Sequence, residues 1–195
     1  MDGLLSGIKR ARSAHTNFEK RHFIPEAALI EVISEPSVKC SLRSVGVPFH
    51  EVADLTGSIL RGARKCFAIL ILIGHGREIS GFFRHDSMQK SSPDERLPYS
   101  LETLLQIFEK DATSLMIQDF LERQWEVAIP IMHQNMICRE LDTRAILPFL
   151  CEESAGQGSM GTAWRIELHP ECHQLPLESH KASPRRLIYL SHKRF

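Results

Sequence analysis

The chain has 195 residues, with 24 basic and 24 acidic side chains and a formal net charge of zero. That balance excludes a bulk polycation that wraps nucleic acid, and 43% hydrophobic with 25% charged residues excludes the profile of a disordered chain. One ordinary domain, or one domain and part of another, fits this length, whereas a large multilayered enzyme does not.

Residues 1–24 are basic, with Lys9, Arg10, Arg12, Lys20 and Arg21 against Asp2 and Glu19, and read as a flexible leader or a short helix. They lack the apolar stretch of a secretory signal. Pro25-Glu-Ala-Ala-Leu-Ile-Glu-Val-Ile33 has the form of a short helix with proline in its first turn, ended by Pro36. One long helix is predicted from Val52 toward Ile73, capped by Asp54, with Leu55, Ile59 and Leu60 at helical spacing. Its last part, Phe67 to Ile73, is apolar on every side. Helix is favoured there over a buried strand because no turn signal separates it from Cys66. A membrane span needs roughly 20 apolar residues, so this run belongs to a core and no membrane association is expected.

Glu78 to Phe83 predicts a further short helix, Gln89 to Tyr99 a loop, and Leu101 to Phe108 and Leu115 to Trp125 two more helices. The helical region thus spans 25–143. From 144 the pattern changes: Leu147 to Cys151, a glycine-bearing turn at 156–161, and Thr162 to Leu168 form a strand–turn–strand signal over 144–175. Trp164, Ile166 and Leu168 share one face of the second strand, and Arg165 and Glu167 the other. No further strand is read that would bury the apolar face of this hairpin. Residues 176–195 read as an irregular basic tail, with Lys181, Pro184, Arg185, Arg186, Lys193 and Arg194. The fold class is therefore mostly α, a small helical region followed by a β-hairpin.

Five cysteines with no Cys-x-x-Cys pair do not make a disulfide scaffold, and an intracellular location is expected. His169, Cys172 and His173 offer at most three ligands with no second cluster, so a solvent-facing turn is expected rather than zinc. Cys138 near His133 has no arrangement for thiol chemistry. Asp94 and Glu95, near Asp86, read as solvated loop residues. The basic tail has Tyr189 and Phe195 for stacking but no folded module behind it, so nucleic acid is not an expected partner.

Gly156-Gln-Gly-Ser-Met-Gly161-Thr-Ala163 fits G-x-G-x-x-G-x-[V/A]. A dinucleotide site places such glycines between a strand and a helix, and a kinase places them between two strands, over the triphosphate. The segment Trp164 to Leu168 reads as a strand, which selects the second arrangement. The competing reading is a glycine-rich hairpin with no ligand.

The run from Arg144 through Ile146-Leu-Pro-Phe149, the glycine loop and His169-Pro-Glu-Cys-His173 resembles the opening of the catalytic domain in filamentous-fungal serine/threonine protein kinase-like proteins. Phe67-Ala-Ile-Leu-Ile-Leu-Ile-Gly74 and Gln124-Trp-Glu126 resemble the helical region that precedes it in that group, so the likeness covers most of residues 50–175. It implies that the hairpin resembles the first two strands of a kinase N-lobe. Gly156, Gly158 and Gly161 would be the loop glycines, and Ala163 would be the adenine-covering residue, with ATP and magnesium the cofactors of full-length relatives. Met160 departs from the usual aromatic cap and Ala155 from the usual preceding residue. His-Arg-Asp and Asp-Phe-Gly are lacking, and Lys181 has the wrong surroundings for the phosphate-pairing lysine. The expectation is a kinase-like fragment, inactive alone and truncated before the catalytic residues. The alternative is a non-catalytic helical module that binds a protein partner.

Overall fold

The computed structural model describes residues 2–85, 91–108, 113–133, 141–158, 161–175 and 187–192. Asp86, Cys138, Ser159, Met160, Lys181, Pro184, Arg185, Arg186, Lys193, Arg194 and Phe195 lie outside the described residues. The N-terminal segment is the short helix rather than a flexible leader. Helix α1 (Asp2–Ala14) buries Leu4 and Ile8, with Leu5 and Ala11 packed beside them. These four positions form one apolar stripe at helical spacing, and Lys9 and Arg10 are exposed on other faces. The last turn is fastened by Arg12, whose Nε and Nη2 donate to the two carboxylate oxygens of Glu126 at 2.6 and 3.0 Å.

Helix α2 (Glu26–Val32) follows Pro25, as the sequence predicts. Pro36 does not end it. Proline instead occupies the first turn of an unpredicted helix, α3 (Glu35–Ser44), where its missing N–H has no intrahelical partner to lose. The Ser34 N–H donates to the Ser37 hydroxyl at 3.0 Å, and Val38 and Leu42 enter the core.

The single long helix expected from Val52 is two helices, α4 (Phe49–Gly62) and α5 (Arg64–Leu72), broken at Ala63, where φ is −138° and ψ 23°. The cause is tertiary. A Cβ on Gly62 would lie 2.5 Å from the Cβ of Ser92, so the chain passes too close to the 92–96 turn for any side chain. The break frees the first N–H groups of α5, and Asp94 from that turn accepts those of Lys65 and Cys66, each at 2.9 Å. Asp94 is thus a remote helix cap and not a solvated loop residue. Helix α5 confirms helix over strand for the apolar run: Cys66 through Leu70 have no exposed surface, and the helix touches α1, α2 and α4. It also touches α6 (Ile79–His85) and α8 (Ser114–Arg123), which with α7 (Leu101–Phe108) close the other side of the core. The predicted 89–99 loop contains a short 3-10 turn, Pro93–Arg96. No helix among the described residues is long and apolar enough to cross a membrane.

Strands β1 (Phe149–Gly158) and β2 (Gly161–Leu168) form the expected antiparallel hairpin, from Phe149 opposite Leu168 to Gly158 opposite Gly161. The tail is not wholly irregular. Residues Leu187–His192 form β3, antiparallel to β2, giving the sheet order β1-β2-β3. Leu-Ile-Tyr-Leu has the β-branched and aromatic character of a strand, which the basic residues around it obscure. Ile166 and Leu168 are buried with Phe149, and Trp164 packs beside them on the predicted face. That face does not lack cover, because Phe18, Met132, Leu147 and Leu175 close over it.

Candidate phosphate-binding loop and its support

The glycines sit where the hairpin turns. The pairing slips between Ser154 and Gly156, so that Gly156 comes opposite Ala163 across a bulge. Gly156 has φ +153°, a conformation that favours glycine, and nothing lies within 4 Å of where its Cβ would be. Its backbone is therefore open to an approaching ligand. Gly158 and Gly161 face each other across the turn, and Ala163 is paired on its other side with Ser191 of β3. The four residues singled out in the sequence, Gly156, Gly158, Gly161 and Ala163, are thus gathered at one end of the sheet.

Gly156 leaves room for a phosphate edge, and a magnesium ion beside it would need further oxygen donors. Octahedral magnesium takes oxygen donors, usually one or two carboxylates beside the phosphates. No group of three or more His, Cys, Asp or Glu side chains among the described residues is arranged to hold a metal ion. Strand β3 holds Leu-Ile-Tyr-Leu-Ser-His and so no lysine. In protein kinases the phosphate-pairing lysine lies on the third strand.

The base of the hairpin is held by the segment after α1, which the sequence reading did not connect with it. The Phe18 N–H donates to the Phe149 carbonyl at 2.8 Å, and the Asn17 amide to the Leu147 carbonyl at 3.2 Å. Arg21 donates to the carbonyls of Arg144 and Ala145. Met132 and Cys172 are joined by a 2.9 Å backbone bond. Phe23, Trp125, Ile146 and Cys172 form a small core between helices and sheet. The expected solvent-facing turn at 169–173 is therefore corrected for two of its residues: His169 is 8% exposed and Cys172 4%. Burial pushes the Cys172 thiol up to about 11, so it stays protonated and unreactive near neutrality. Burial, and then His15 beside it, lower the pKa of His169 from 6.5.

A cleft of about 400 Å³, with no loop glycine in its lining, lies between Pro98, Trp125 and Ile129 and is also lined by Lys65, Asp94 and Asp142. Its charges are already engaged. Lys65 pairs with Glu26 at 3.2 Å, Asp94 caps α5, and Asp142 binds Arg144, which holds its carboxyl down at about 2. The glycine loop is the better candidate because nothing lies within 4 Å of where a Gly156 Cβ would be. The chain matches no protein-family model, no curated protein and no solved structure.

Proposed function

We propose that the chain is a kinase-like fragment that contacts the phosphates of a nucleotide through its glycine hairpin and does not itself transfer a phosphoryl group. The observation that carries this reading is the setting of the glycines. They join two antiparallel strands, with Gly158 opposite Gly161, and not a strand to a helix. A strand–loop–strand glycine turn is the arrangement that covers a triphosphate in protein kinases, whereas a dinucleotide fold needs a helix N-terminus after the loop.

Phosphoryl transfer needs metal and charge around the transferred group. The sequence carries neither His-Arg-Asp nor Asp-Phe-Gly, so binding without turnover is the activity these residues support. A backbone cradle alone yields weak affinity, in about the millimolar to high-micromolar range. Titration calorimetry with Mg-ATP on the purified chain tests this. Saturable binding that is lost in Gly158→Val, with unchanged circular dichroism, is the expected result. Binding that survives the substitution, or none in the wild type, sinks the nucleotide reading.

A second reading, a helical module for a protein partner, is favoured by the apolar side chains the helices leave outside. Phe49 is 79% and Leu115 65% exposed, and Leu101 and Leu105 lie one turn apart on α7. Absence of nucleotide binding leaves this reading standing.

A further inference from the structure

A buried imidazole, His169, meets a partly exposed one, His15, where the hairpin joins the helices. His15 follows the last residue of α1 and His169 follows the last residue of β2, so the pair spans helical region and sheet. His169 Nε2 lies 3.2 Å from His15 Nδ1, and the rings meet edge to face at 5.1 Å. Phe23 packs on both, at 5.4 Å from His169 and 5.9 Å from His15.

The second nitrogen of His169 fixes the protonation of both rings. Its Nδ1 accepts the Glu171 N–H at 3.4 Å and lies 3.8 Å from the Cys172 sulfur. The single proton of neutral His169 is therefore on Nε2, pointing at His15, whose Nδ1 must accept it. A proton added to His169 lands on its own Nδ1, against the Glu171 N–H, and puts a charge on a ring that docking shields from water.

We propose that the His15–His169 pair is a proton-sensitive latch that docks the β-hairpin on the helical region near neutral pH and releases it in mild acid. The surrounding charges do not cancel the effect. Glu171 is the carboxylate facing His169, one negative charge for two rings. Arg12, one turn before His15 in α1, is held by Glu126. Lys65 acts weakly on Cys172, whose thiol is neutral, and His22 on the adjoining segment adds a further imidazole. The low pKa of His169 sets the sign. Because the docked ring takes up a proton less readily than a free one, docking is strongest above about 6.5 and weakens as pH falls below that value.

Amide hydrogen exchange on the whole chain tests the latch. The Phe18 amide bonds across the joint to Phe149, and the Leu70 amide lies inside the helical core. After correction for intrinsic exchange, protection at Phe18 should fall at least about tenfold between pH 7.5 and 5.0, while Leu70 changes little. In His169→Gln the fall should disappear. Glutamine can keep a hydrogen bond to His15 and has no proton to take up in this range. Equal protection at Phe18 at both pH values, a parallel loss at Leu70, or an undiminished fall in the variant each overturns the proposal. Should the variant not fold, the wild-type contrast between Phe18 and Leu70 decides alone.

Discussion

At the scale of single residues, Asp94 shows how a side chain placed in a loop comes to determine a helix. Its carboxylate takes two α5 amides and is itself buried, and that burial raises its pKa from 3.8. Hydrogen bonding and charge therefore act in opposite directions. Asp94→Ala removes the acceptor and should cost about 1–2 kcal/mol in thermal or urea unfolding. Asp94→Asn keeps one acceptor oxygen and sheds the buried charge, so it should cost clearly less. The pH dependence separates the two effects. A folded-state pKa above the unfolded value means that the wild type gains stability on protonation and loses it as pH rises past 3.8. Measured by Tm between pH 3.5 and 6.5, wild type should decline relative to Asp94→Asn; a difference that stays flat would show that the charge carries no penalty. The sequence reads Asp94 as a solvated loop residue, although the Ser92 N–H donates to Glu95 at 2.9 Å in a capping box around it. That Asp94 serves another helix was not legible, since nothing local reports what lies across a turn.

At the scale of elements, the helices that the sequence reveals are those whose apolar residues recur every three or four positions. Where structure and sequence pattern differ, a charge or a proline masks that period. The basic residues of α1 suggested a loose leader although Leu4, Leu5, Ile8 and Ala11 form an apolar stripe. Pro36 has the look of a stop after α2, yet it lies in the first turn of α3. The break between α4 and α5 has no comparable local signal, because Gly62 is required by Ser92, thirty positions away. These assignments have energetic consequences. Ile8 is fully buried against the main core, so Ile8→Ala should destabilise the chain by about 2–4 kcal/mol in urea unfolding. A peripheral leader would show less than about 0.5 kcal/mol for the same truncation, the range of ordinary surface changes.

At the scale of the whole molecule, sequence order and spatial order diverge most at the hairpin. The glycine spacing and the alternation of Trp164, Ile166 and Leu168 made the hairpin legible, as did the cluster of glycines at its turn. Its cover was not, because Phe18 and Phe149 lie far apart in sequence and no periodicity links them. The boundary drawn at 144 is therefore no weak point in the packing: Phe23 has no exposed surface and is packed with Trp125, Ile146 and Cys172. This arrangement predicts one cooperative transition at pH 7.5. The chain's two tryptophans report the joint and the hairpin, through Trp125 and Trp164, while circular dichroism at 222 nm reports the helices. Both signals should give the same urea midpoint. Phe23→Ala should lower the two midpoints together by the equivalent of about 3–5 kcal/mol. If fluorescence shifts and the helical signal does not, hairpin and helices unfold separately and the shared core contributes no coupling. Repeating the melt at pH 5.0 should part the two curves, with fluorescence changing first, because a proton taken up by the buried His169 favours the opened joint.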